Sequence, residues 1–228
     1  MEKISGIQNG TILPEKVLKL YQAVKRLVVR GVDIADMKVS AITEEAGIGK
    51  GTAYDYFDSK EEIIVYAMLF FVEEAMSRME QEIWQQDGFK ERMAYALDRM
   101  DIQEEDSVCL LCFTNLLFAS SQAGQLLRET LGKRKEEGRY QPLLVAARVI
   151  EKGISDGEIR ADLPVSYMAY ILLTKVVAYL AFVLHGRNIK AENGVQETDL
   201  IHGEKRISRE AFRRYVLEGI LEEFKVRQ

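Results

Sequence analysis

The chain has 228 residues, 47% of them hydrophobic and 29% charged, with a formal net charge of −5 and only three prolines. Such a chain is long enough for one large or two small domains with a substantial core, and its balance is that of an ordinary globular protein. The acidic total excludes a broadly basic nucleic-acid coat, and the scarcity of proline suits a mostly helical chain.

Residues 1–13 read as a loose leader without the apolar core of a signal peptide, so a cytoplasmic protein is expected. Pro14 opens the first helix at a position that tolerates proline. Val17, Leu20, Tyr21, Val24, Leu27 and Val28 then recur on one buried stripe, and Gly31 ends it. Val32 to Met37 bridges to the most informative stretch, residues 38–68. There Val39, Ile42 and Ala46 predict a short amphipathic helix closed by Gly47. Ile48 plugs the turn, and Gly49 can cap a second helix from about Lys50 to Phe57. In that helix Ala53 and Phe57 face inward, while Lys50, Gly51, Tyr54 and Asp55 share the opposite face. So short a helix cannot stand alone in water.

Two such helices across a tight glycine turn form a helix-turn-helix, whose second helix enters the DNA major groove. Gly51 costs roughly 1 kcal/mol inside a helix but lets a backbone come close. Lys50 opposes the positive end of the helix dipole, a conflict that a phosphate between them would resolve. Thr52 offers a hydroxyl and a methyl to a base edge, and Tyr54 and Tyr56 offer hydroxyls to phosphates. Residues 1–60 hold nine basic and eight acidic side chains, net +1, against −6 for the remainder. That asymmetry has the right sign for DNA binding and is small.

The string AITEEAGIGKGTAYDYFDSKEEII closely resembles the DNA-binding signature of the TetR family of transcriptional regulators, over about fifty residues from Pro14 to Met68. The resemblance implies that Lys50, Thr52, Tyr54 and Tyr56 face DNA, with Lys60 contacting phosphate at the start of the next helix; Gly51 and Asp55, on the same outward side, complete the candidate DNA-binding set. Thr43 carries over from the second helix. Two positions depart from the pattern: Gly49 replaces a hydroxyl N-cap, and Asp55 sets an acid on the reading face. That acid could accept from a cytosine amine or repel the DNA backbone.

Ser59, followed by Glu61 and Glu62, starts a long helix. Its apolar pattern from Ile63 to Ile83 reaches about Gln86, some 27 residues and roughly 40 Å. Phe89 to Met100 reads as another helix, Asp101 to Asp106 as an acidic connection, and Val108 to Ser121 as an apolar helix at the centre of a second domain. Leu126 to Leu131 leads into a charged run, 133–139, expected to be a solvated face or loop. A helix over Gln141 to Gly153 precedes a "G-x-x-x-G-x-I-R" motif that also resembles the regulatory domain of TetR relatives. Asp162 or Leu163 begins a helix ending at Leu184 to Gly186, Arg187 to Arg206 reads as a long loop, and Ser208 caps the last helix.

The expected fold is therefore all-α, about nine helices in two domains. Residues 1–60 form the helix-turn-helix domain, and 61–228 a larger helical ligand-binding and dimerisation domain. The Cys109–Cys112 pair lies in an apolar helical run, with no second pair and neither histidine nearby in sequence, so core packing outweighs a redox or metal role. His185 at a helix end and His202 in a polar loop look structural. No paired nucleophile and base, no phosphate-cradling loop and no metal-spaced cluster appears, so neither an enzyme nor a cofactor is expected.

Lys175 interrupts an apolar stripe and needs a partner or an exit to water; it could instead line a ligand cavity. A lipophilic pocket is placed around Met93, Leu97, Cys112, Phe113, Leu116, Lys175 and Tyr179. The family resemblance implies a homodimer on double-stranded DNA, a repressor released from an inverted-repeat operator by a small effector. A DNA-binding regulator governed by a protein partner, or without an effector, is the alternative.

Overall fold

The structure, a computed structural model, describes residues 13–102, 104–136, 141–192 and 207–226, and every regular element among them is an α-helix. They are α1 (Glu15–Val29), α2 (Val39–Ala46), α3 (Lys50–Tyr56), α4 (Lys60–Ile83), α5 (Phe89–Ile102), α6 (Glu104–Phe118), α7 (Gln122–Glu136), α8 (Gln141–Ser155), α9 (Val165–Glu192) and α10 (Arg209–Phe224). The fold is all-α, with an N-terminal helix-turn-helix continuing through α4 into a larger helical region. The chain divides into two compact units. One holds residues 1–76 and 105–140, the other 77–104 and 141–228.

The first unit forms because α1, α2 and α3 each turn a short apolar face inward. Val17, Leu20, Tyr21 and Val24 of α1, Ile42 of α2, and Ala53 with Phe57 after α3 are fully buried. On α4, Ile63, Ile64, Ala67 and Met68 are also without exposure, and Tyr21 meets Phe70 at 5.7 Å and Phe57 meets Tyr66 at 6.4 Å. Burying a side chain of the larger kind is worth about 1.5–3 kcal/mol, which is what holds helices of seven and eight residues. Arg134 of α7 is buried against Glu73 of α4 in a close ion pair. The predicted solvated run at 133–139 is thus corrected at Arg134: a basic residue can serve the interior when an acid waits there. Residues 137–140 lie outside the described residues.

In the second unit α9 packs against α8 and α10. Phe89 and Phe224 meet edge to face at 5.9 Å, and Phe182 stacks on Phe212 at 3.9 Å. The "G-x-x-x-G-x-I-R" motif proves to be a packing joint. Gly153 admits the Ile159 and Phe89 side chains, whose carbons lie 3.1–3.2 Å from where its Cβ would stand. The Glu158 carboxylate accepts from the Phe89 backbone N–H, and the Arg160 backbone N–H donates to the Phe224 carbonyl at 2.8 Å.

Three boundaries differ from expectation. The acidic stretch 101–106 is helical on both sides of residue 103, because acids at a helix start favour the dipole. α6 belongs to the compact unit of the helix-turn-helix, not to the centre of a second domain. Its apolar surface is only partly used: Leu110, Leu111 and Leu117 are half-buried and Phe118 is 83% exposed. α9 runs to Glu192, so Arg187–Glu192 is helix and His185 lies within it rather than at its end. The rest of the predicted loop up to Arg206, with His202, lies outside the described residues. α9 from Val165 to Val183 is long and apolar enough to cross a bilayer, with mean hydropathy 1.6, and it is packed in the second unit between α8 and α10.

Candidate nucleic-acid interface

α3 is placed by what flanks it. α2 ends where Gly47 turns left-handed at φ 66°, a conformation open to glycine, and the Ile48 N–H then reaches back to the Thr43 carbonyl at 3.0 Å. Gly49 follows in extended geometry, and its carbonyl accepts from the Ala53 N–H to begin α3. After α3 the Phe57 ring drops inward against Tyr21 at 6.0 Å and Tyr66 at 6.4 Å.

The remaining anchors are polar. Arg26 and Arg30 of α1 both grip Glu45 of α2: Arg26 Nε donates to its carboxylate at 2.6 Å and Nη2 to its carbonyl at 3.0 Å, while Arg30 takes the other carboxylate oxygen. These hydrogen bonds, with the two positive charges, hold the Glu45 carboxyl below the usual carboxylate range. Sequence reasoning missed this clasp; cations four apart at the end of α1 were its only signal. Next, Ser59 Oγ accepts from the Glu62 N–H at 3.1 Å, and the Glu62 carboxylate accepts from the Asp58 N–H at 2.7 Å. This cap sets the start of α4 and with it Lys60, whose Nζ is 3.5 Å from the Ala35 carbonyl and 3.8 Å from the Glu61 carboxylate.

The outcome is a helix with a dry side and a bare side. Ala53 is buried; Lys50, Gly51, Tyr54 and Asp55 are exposed, and Thr52, Tyr56 and Lys60 are half-buried. A Cβ placed on Gly49 or on Gly51 would meet nothing within 4 Å. The protein's own packing therefore demands neither glycine. Thr43 stands apart as a correction. It is 3% exposed, and its hydroxyl donates within α2 to the Val39 carbonyl at 2.9 Å. It is turned inward rather than facing outward, since with Ile42 it forms the buried side of α2.

This arrangement can present a cation, hydroxyls and one carboxylate to a groove. Cys109 and Cys112 of α6, in the same unit, are poor nucleophiles, because burial pushes their thiols up to about 12 and about 11. Among the described residues no group of three or more His, Cys, Asp or Glu comes together to hold a metal.

Residues 30–67, which span α2, α3 and the start of α4, match the model of bacterial regulatory proteins of the tetR family. That segment carries the helix-turn-helix of the family. The fold of the whole chain agrees with that of solved transcriptional regulators. The FadR regulator of Bacillus subtilis, in complex with stearoyl-CoA, is 18% identical at a TM-score of 0.64, over 90% of this chain and 97% of that one. The fatty acid degradation regulator FadR of Bacillus halodurans is 14% identical at a TM-score of 0.66, over 95% and 100%. A regulator of Saccharomonospora viridis in complex with choline is 17% identical at 0.61, over 92% and 97%. No curated protein matches. At these identities the likeness shows a shared fold, and the match over residues 30–67 shows a DNA-binding segment of the family's kind.

The seven residues predicted to line an effector pocket fall into both compact units. Met93, Leu97, Lys175 and Tyr179 lie in the second, and Cys112, Phe113 and Leu116 in the first. Lys175 is half-buried, with Nζ 3.4 Å from the place a Cβ would take on Gly219 of α10. Two surface hollows take in none of the seven. One of about 520 Å³, between α5 and α10, is lined by Tyr95, Asp98, Glu210, Arg213 and others; one of about 450 Å³, on α1, is lined by Lys25, Arg26, Arg30 and Phe71 among others.

Proposed function

We propose that the chain acts as a homodimeric cytoplasmic repressor that holds an inverted-repeat operator through Lys50, Gly51, Thr52, Tyr54, Asp55, Tyr56 and Lys60, and leaves it when a small lipophilic effector binds the region beyond residue 60. The observation carrying this reading is the bare face of α3, where four residues in seven are exposed and two exposed glycines answer to no contact inside the protein. A helix so short and so little buried has its purpose outside the chain.

Self-association is supported by α9. Tyr167, Tyr170, Thr174, Ala178 and Ala181 recur on one side of it, all exposed and all uncharged. A stripe of that kind suits a second copy, whose two-fold axis would pair two reading helices on half-sites roughly 34 Å or a multiple apart. Support for a lipophilic effector comes from the B. subtilis regulator solved with stearoyl-CoA. The ligand must prefer one conformation of the dimer, since equal affinity for both shifts nothing.

Gel-shift titration on the DNA upstream of the chain's own gene tests both halves. A retarded band that long-chain acyl thioesters dissolve, and choline does not, is the expected result. A band indifferent to every small molecule, yet altered by a protein partner, would transfer the control to that partner. Lys50→Ala should weaken binding to all duplexes alike and lower the slope of log K against log salt by about 1. An unchanged slope removes Lys50 from the phosphate contacts.

A further inference from the structure

We infer that Asp55 selects a base pair: its carboxylate accepts the exocyclic amine of a cytosine in the major groove, so each operator half-site carries a C·G pair beneath it. The inference rests on the DNA-binding reading above and deepens it by naming what the reading helix reads.

The geometry of α3 puts Asp55 at the outermost point. With about 100° between successive residues, the buried pair Ala53 and Phe57 defines the inward direction, and Asp55 stands roughly 180° from it. Gly51 lies one turn earlier on the same side, and the space around it is empty to 4 Å. Beside Asp55 the helix is therefore at its narrowest, and its backbone can sink toward the bases. An aspartate has one methylene of reach, so it touches base edges only where the backbone comes that near. Lys50 and the tyrosines, with longer arms, are suited to the phosphates on either flank.

Charge then decides what Asp55 can bind. Among the described residues no ion pair or hydrogen bond satisfies its carboxylate, which is acceptor-only when ionised. Guanine offers it N7 and O6 and thymine O4, all acceptors that repel it. Adenine has a donor at N6, but N7 beside it would face the second carboxylate oxygen. Cytosine presents the N4 amine with no neighbouring acceptor in the groove. Of the four bases it is the one that a lone carboxylate matches.

The test uses the full-length protein. Duplexes are selected from a randomised double-stranded pool, and affinity is measured on the best duplex, on every single base-pair change, and on a duplex whose cytosine is replaced by 2-pyrimidinone, which lacks the amine. Wild type should lose about tenfold when the cytosine is changed, and as much when only its amine is removed. Asp55→Ala should be indifferent to both changes while keeping its preferences elsewhere, and Asp55→Asn should move the preference at that pair toward adenine. Since Asp55 is exposed and unbonded, both variants should melt like wild type, which circular dichroism verifies. If Asp55→Ala binds every duplex more tightly with its base preferences intact, the carboxylate merely repels phosphate and the inference falls. A wild type that binds duplexes but prefers no cytosine also overturns it and leaves the DNA-binding reading standing. A wild type that binds no duplex at low salt overturns both.

Discussion

Gly51 in α3 and Gly124 in α7 are both helical glycines, and they are there for opposite reasons. At Gly124 an added Cβ would stand 2.7 Å from the Leu116 carbonyl oxygen and nearer still to that of Ala119. The glycine lets α7 press against the end of α6, where the two helices turn through 96°. Arg128 Nη1 closes the corner by donating to the carbonyls of Leu117 and Ala119 at 2.9 and 2.8 Å. At Gly51 nothing lies within 4 Å. One glycine is required by the fold; the other costs the fold something and answers to no contact inside the protein, which suits the proposed approach to DNA. A missing side chain is thus a structural signal or a functional one according to what surrounds it.

Four substitutions or conditions sharpen that contrast, beginning with the interior of the first unit. Glu73→Gln leaves Arg134, 9% exposed at its side chain, without the charge it faces, and should cost about 3 kcal/mol in chemical denaturation. Gly124→Ala forces a methyl against backbone that cannot swing away, and should cost about 2 kcal/mol. Gly51→Ala should do the reverse to the protein, raising stability by about 0.5–1 kcal/mol through helix propensity while weakening operator binding. If it destabilises the protein, or leaves DNA affinity intact, the distinction between the two glycines fails.

The smallest effect concerns acid. The folded-state pKa of Glu45 is depressed by Arg26 and Arg30, so its contribution to stability is complete at neutral pH. It should be lost as the pH falls below about 4.5 and through that lowered value. A Glu45→Gln variant should accordingly show a flatter decline in melting temperature on acidification than wild type.

Much of the first unit was legible beforehand because short amphipathic helices carry their instructions locally. Gly31 and Gly47 are the left-handed stops at the ends of α1 and α2. Ser59 and Ser208 cap α4 and α10, with Ser208 Oγ accepting from the Ala211 N–H at 3.1 Å. Ala53 and Phe57 fell inward because a four-residue spacing leaves them nowhere else to go. Thr43 misled, since a hydroxyl on a helix serves DNA and its own carbonyl ladder equally well until burial chooses.

α6 and α9 were harder to read for a shared reason. A helix apolar on all sides has no periodicity from which to infer a face, so its partners and its end are set elsewhere. That is why α6 could be assigned to the wrong unit and α9 stopped short of its last turns.

The sequence by itself determined the helix-turn-helix, its caps and the outward face of α3, because those depend on neighbours three and four residues away. The tertiary structure alone decided that Glu45 is clasped by two arginines, that Arg134 is an interior cation, that Thr43 lies beneath the surface, and which glycine is hemmed in. Those are facts about residues distant in the chain, and only packing brings such residues within reach of one another.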